Sequence, residues 1–177
     1  TGSNGKTTVT SMVEHLCKAA GKDVVAAGNI SPAVLDVVLE RGVNQPEVWV
    51  LELSSFQLET TYTLNADAAT VLNISEDHLD RYADMDEYSA AKARIFSGCG
   101  VQVLNRDDER SMGMARKDCR IITFGLNPPG NESDFGMESI EGETWLMQGS
   151  QRLLKASELQ VAGTHNVANA LAALALS

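Results

Sequence analysis

An α/β fold, a mostly parallel β-sheet covered by helices, is predicted for this 177-residue chain by three observations. Short apolar runs alternate with segments of helical period. A glycine-rich loop leads straight into the first such segment. After residue 125 the texture changes to turn residues and short runs, which predicts a small antiparallel β element.

The elements follow in order. Val9, Met12, Val13, Leu16 and Ala20 recur at helical spacing behind the loop, Gly21 supplies a stop, and 24–27 is a short apolar strand. A helix over 32–40, opened by Ser31, precedes a strand over 48–53 whose apolar run is interrupted by Glu52. The next buried strand is 68–72. Helical period returns over 84–96, and strands at 101–104 and 121–124 flank a helix over 109–117. N-P-P-G-N at 127–131 marks a loop, and the runs 144–147 and 152–154 around Q-G-S-Q predict a hairpin. The Ala/Leu-rich segment 164–176 is a helix capped by Thr164.

Composition narrows the function. With 44% hydrophobic residues the chain can build one domain with its own core. Fourteen basic against twenty-four acidic residues leave a net charge of −10, which repels nucleic acid and anionic membrane, so neither is an expected partner. Cys17, Cys99 and Cys119 are odd in number and show no C-x-x-C spacing, so neither a disulfide framework nor a zinc site is indicated. They read as reduced thiols of the cytosol. No apolar run nears the roughly 20 residues of a membrane span, and a soluble protein is expected.

The opening T-G-S-N-G-K-T-T matches the end of a phosphate-binding loop. Gly2, Ser3, Asn4 and Gly5 let backbone N–H groups close on phosphate oxygens at a helix N-terminus. Lys6 then neutralises the β/γ-phosphates, and Thr7, followed by Thr8, places its hydroxyl on Mg²⁺. A plain glycine-rich turn at a helix start is the alternative, but the alternating strands downstream favour a P-loop NTPase-like sheet. The strand that normally delivers such a loop, and the first glycine of its pattern, would precede Thr1, so an excised piece is expected. N-K-x-D and D-x-x-G segments are absent, which disfavours a GTPase.

Other chemistry-bearing residues gather where strands end. Glu52 sits near the carboxyl end of an apolar strand, where ligands collect in open α/β sheets; a neighbouring lysine or Mg²⁺ would balance it. His78 lies in the polar stretch after 68–72, and taken alone it reads better as a solvated loop histidine than as a ligand. Asn166 and Asn169 share a helix face and suit an adenine edge, or else a cap and one exposed amide. Met85, Tyr88, Lys92 and Ile95 fall on one helical stripe, so Lys92 points inward, where desolvation favours the neutral amine unless the head snorkels to solvent.

G-S-N-G-K-T resembles the G-x-N-G-K-[ST] loop of the Mur ligase and folylpolyglutamate synthase superfamily. L-E-L-S-S-F-Q-L-E (51–59), N-I-S-E-D-H-L-D-R-Y (73–82), A-A-K-A-R-I-F (90–96) and G-T-H-N-V-A-N-A-L-A-A-L-A (163–175) narrow the resemblance to the D-glutamate-adding branch of the Mur ligases, from the first residue to the last. It implies a central ATP-binding domain over 1–177, between an N-terminal domain for the UDP-substrate and a C-terminal domain that closes over the site, both flanking domains of one polypeptide in the bacterial cytoplasm. The implied substrates are ATP, UDP-N-acetylmuramoyl-L-alanine and D-glutamate, joined through an acyl phosphate. The implied cofactors are two Mg²⁺ ions and a carbamylated lysine at Lys92. By resemblance Lys6, Glu52, His78 and Lys92 are catalytic, and Thr7, Glu52, His78 and the Lys92 carbamate serve metal. Asn166 and Asn169 meet adenine, and Asn29, Ser54 and Gln57 lie near the muramoyl substrate. A relative with another acceptor or amino acid, or an ATP-binding module without chemistry, remains the alternative.

Overall fold

A computed structural model describes residues 1–76, 81–98 and 100–177. The expected alternation is present. Helix α1 (Lys6–Ala19) leads to strand β1 (Val24–Gly28), α2 (Val34–Arg41), β2 (Val48–Glu52) and the short α3 (Ser55–Glu59). Then come β3 (Ala68–Val71), α4 (Met85–Ala93), β4 (Val101–Asn105), α5 (Glu109–Gly113) and β5 (Ile121–Phe124). Strands β6 (Phe135–Ile140), β7 (Glu143–Gln148) and β8 (Gln151–Lys155) precede α6 (Thr164–Leu176).

Strands β1 and β2 pair in parallel, with Val24 opposite Val48 and Gly28 opposite Glu52. A second sheet runs β3-β4-β5-β6-β7-β8, parallel through β6 and antiparallel beyond it. The expected antiparallel element therefore extends the main sheet. Strands β3 and β4 are mostly apolar along their length because both faces are covered. Leu72 and Val103 face a core with Val9, Val13, Phe124, Leu146 and Leu171, whereas Val71 and Leu104 face a second cluster with Leu58, Ile95 and Phe96. Helix α1 packs on β1, β2 and α6. Among the described residues no helix is long and apolar enough to cross a membrane.

Several boundaries differ from expectation for local reasons. Helix α2 starts at Val34 and not at residue 32: Pro32 O accepts the Gly28 N–H at 3.4 Å, and Ala33, not Ser31, is the extended cap. Helix α5 stops at Gly113 rather than at 117. Buried Gln102 takes Met114 O with Nε2 (3.2 Å) and the Arg116 N–H with Oε1 (2.7 Å), which draws the chain onto β4. Thr164 is the first helical residue of α6 and Gly163 its cap, whose carbonyl accepts the N–H groups of Asn166 and Val167. The helix expected over 84–96 is α4, capped by Asp84 Oδ1 on the Asp86 and Glu87 N–H groups, followed by a 3₁₀ turn at Arg94–Phe96. Strand β6 was not expected. Its polar outer half hides the period, although Glu141 and Gly142, both at positive φ, form the two-residue turn that joins it to β7.

Leu171 is fully buried between α1 and the sheet, so Leu171→Ala should cost about 2–5 kcal/mol by transfer and cavity terms. Leu39 on α2 is 79% exposed, and Leu39→Ala should stay within about 0.5 kcal/mol. Urea unfolding of both variants checks the contrast; equal losses would contradict this packing.

Candidate active site

The site forms where the phosphate loop meets the carboxyl ends of β1 and β2. Gly28 closes β1 at φ +117°, and a Cβ there would stand 2.3 Å from the Glu52 carbonyl oxygen, so glycine lets the strands approach. The Asn29 N–H then donates to that same oxygen at 2.7 Å. This register turns the Asn29 side chain onto Glu52: Nδ2 donates to Oε1 at 3.0 Å. From α1, the Thr7 hydroxyl donates to Oε2 at 2.8 Å. Glu52 is 2% exposed. Each carboxylate oxygen thus receives one neutral donor.

Gly5, at φ +81°, caps α1 and turns the loop into the helix. The first helical bond runs from the Val9 N–H to Gly5 O, so the amides of Lys6, Thr7 and Thr8 lie ahead of it at the positive end of the helix dipole. Lys6 Nζ folds back on the carbonyls of Gly2 and Ser3, both at 3.0 Å. Lys92, 2% exposed as its stripe predicts, donates to the same Gly2 carbonyl at 3.1 Å, with its Nζ 4.6 Å from the Tyr88 ring centroid.

Asn166 and Asn169 come together beside the loop, as their spacing predicts. Asn169 Nδ2 donates to Asn166 Oδ1 at 3.3 Å, and a Cβ on Gly5 would fall 2.5 Å from Asn169 Oδ1. Ser54 and Gln57 form a capping box on α3. Ser54 Oγ accepts the Gln57 N–H at 3.2 Å, and Gln57 Oε1 accepts the Ser54 N–H at 2.9 Å. They sit two and five residues beyond Glu52. His78, with Asp77 and Asp80, lies outside the described residues, as does Cys99.

Sequence reasoning missed the residues that hold the loop tip. Asn73 Oδ1 accepts the Asn4 N–H at 2.8 Å, and its Nδ2 donates to Asn4 O at 3.1 Å. The Ser75 N–H donates to Ser3 Oγ at 3.1 Å, and the Tyr88 hydroxyl lies 3.4 Å from that oxygen. Farther along, Tyr82 Oη (2.5 Å) and Arg81 Nη2 (3.0 Å) donate to Glu59 of α3, and these bonds hold the Glu59 carboxyl below its usual range. The one available signal was an asparagine directly after an apolar strand.

Chemically, the arrangement offers helix-end amides and a lysine to an anion, and oxygen ligands to a hard cation. Among the described residues no three of His, Cys, Asp and Glu cluster. A divalent ion would rely on Glu52, Thr7 and oxygens of a bound phosphate, the usual Mg²⁺ pattern.

Relatives share this chain closely. The UDP-N-acetylmuramoylalanine--D-glutamate ligase of Nitrosomonas europaea is 61% identical over 183 residues, covering 99% of this chain and 39% of the relative. The enzyme of the same name from Aromatoleum aromaticum is 56% identical, covering 99% and 38%. The chain thus spans under two fifths of these relatives' length. The crystal structure of MurF from Acinetobacter baumannii superposes with a TM-score of 0.71 at 22% identity, over 98% of this chain and 40% of that one, a likeness of fold. The family model of the Mur ligase middle domain matches residues 1–177 in full, and with the loop, Glu52 and the paired asparagines in place, the chain belongs to the Mur ligase middle-domain family.

Proposed function

We propose that this chain is the central ATP-binding domain of a cytoplasmic bacterial ligase that joins D-glutamate to UDP-N-acetylmuramoyl-L-alanine. The observation that carries the reading is the buried Glu52 carboxylate, bridged by Thr7 of the phosphate loop and Asn29 of the neighbouring strand end. The names of relatives up to 61% identical supply the substrates. Flanking domains hold the uridine nucleotide and close over the site. A strand ahead of Thr1 fits the edge of β3, where Leu72 N–H already pairs with Thr1 O at 3.0 Å.

The residues present fit Mg²⁺. A buried carboxylate that receives only uncharged donors in the bonds described gains from a cation, and its oxygens with the Thr7 hydroxyl are hard ligands. Mg²⁺ held there by Glu52 and Thr7 would supply positive charge against the phosphates. Lys6 moves from the Gly2 and Ser3 carbonyls to the β/γ-phosphates, while Asn29 keeps Glu52 aimed. Asn166 and Asn169 receive the adenine edge, and Ser54 and Gln57 face the muramoyl substrate. The acceptor carboxylate takes the γ-phosphoryl group and ADP leaves. D-glutamate's amine then displaces phosphate from the acyl carbon, which forms the amide.

His78 and Lys92, the latter carrying a carbamate, would hold a second Mg²⁺. Lys92 is buried and meets the Gly2 carbonyl that Lys6 also reaches, and the carbamate would form from its neutral amine. The neutral amine adds to CO₂, a C–N bond forms, and the nitrogen's proton leaves to solvent.

In the full-length protein, ADP release should require both UDP-N-acetylmuramoyl-L-alanine and D-glutamate; release indifferent to either would reject the reading. Lys6→Ala should lower turnover at least ~100-fold with unchanged circular dichroism. Lys92→Ala should lose turnover and regain part of it with acetate, whereas near-normal turnover without acetate would reject the carbamate.

A further inference from the structure

We infer that Asn73 is a positioning residue for the phosphate loop: it locks the loop tip at Asn4, so that nucleotide phosphates are held from Gly5 onward. The inference rests on the ATP-binding reading above and adds a residue to it. A side-chain amide offers an acceptor at one end and donors at the other. Asn73 applies both to one residue, with Oδ1 on the Asn4 N–H and Nδ2 on the Asn4 carbonyl. Its own carbonyl accepts the Ser3 N–H at 3.0 Å. Two loop amides that could meet phosphate are therefore already engaged.

The loop carbonyls are engaged as well. Gly2 O accepts from Lys6 and Lys92, Ser3 O from Lys6, and Asn4 O from Asn73. A carbonyl turned toward an anion repels it, so fixing the Asn4 carbonyl on Asn73 keeps the anion side of the loop clear. What faces the anion is the run of amides ahead of the first helical bond, Gly5 to Thr8.

Asn73 stands on a braced base. Leu72 O accepts Asn105 Nδ2 at 2.8 Å, the Ile74 N–H donates to Asp108 Oδ2 at 2.9 Å, and the Ser75 N–H donates to Ser3 Oγ. Both flanks of Asn73 are thus tied to the end of β4 and to the loop, and its amide is presented at a fixed height. The chain's N-R-D-D at 105–108 acquires a purpose in the same way: its first and last residues support the residue that holds the loop.

The test compares binding of MgATP and of adenosine to the full-length protein and to its Asn73→Ala and Asn73→Asp variants by NMR titration. Alanine removes both bonds. Aspartate keeps the acceptor for the Asn4 N–H but sets an anionic oxygen against the Asn4 carbonyl. Both variants should weaken MgATP at least about tenfold, and adenosine, which does not reach the loop, by less than about twofold. Should Asn73→Ala not fold, the isosteric Asn73→Asp carries the comparison alone. Unchanged MgATP affinity in a folded variant overturns the inference, as does a parallel loss of MgATP and adenosine, which marks general disorder of the site. If the unaltered protein fails to bind MgATP, the functional reading falls and this inference with it; if it binds and the variants bind equally well, the functional reading stands and only this inference falls.

Discussion

A carboxylate buried to 2% exposure at the end of a strand is the constraint around which the rest of this structure is arranged. Removing such a charge from water is costly unless the surroundings answer it. Here the answer comes from two different elements, the Thr7 hydroxyl and the Asn29 amide, one to each oxygen. Both donors are neutral, which leaves Glu52 able to meet a cation while being held in one orientation. Gly28 is part of the same arrangement. With a side chain at this position the β1 and β2 ends could not approach, and Asn29 would not reach.

The opposite charge is concentrated a few residues away. Lys6 and Lys92 converge on one carbonyl, that of Gly2. On the proposed reading a bound polyphosphate would draw Lys6 off the loop, and the Gly2 carbonyl would keep its bond from Lys92.

The sequence made the chemistry more legible than the scaffold that aims it. Glu52 stood out because a charge inside an apolar run has few structural excuses, and the burial of Lys92 followed from one helical stripe whose members Tyr88 and Ile95 are also buried. Asn166 and Asn169 were legible because i,i+3 spacing fixes their common face. Asn73 was not, because its partner lies 69 residues away and an asparagine after a strand reads as an ordinary turn. Helix α3 was too short to show a period, although S-x-x-Q at 54–57 carried a capping-box pattern. Strand β6 and the end of α5 depended on tertiary contacts, from β7 and from Gln102, that no local window contains.

The phosphate loop also links two strand ends. Thr1 and Ser3 pair with the chain at and beyond β3, whereas Thr7, a turn away, reaches Glu52 at the end of β2. Helix α1, which follows the loop, packs on β1, β2 and α6. On the proposed reading, a nucleotide held by the amides from Gly5 to Thr8, with a cation on Glu52, would draw on both strand ends at once. A shift of about 1 Å between them would separate cation from phosphate, and displacements of that size disable catalytic geometry. The contacts that set this distance, Gly28 against Glu52 at the ends of β1 and β2 and Asn73 against Asn4 beyond β3, lie outside the two hydrophobic clusters. Alignment of the site is thus controlled by residues whose loss leaves the two hydrophobic clusters untouched.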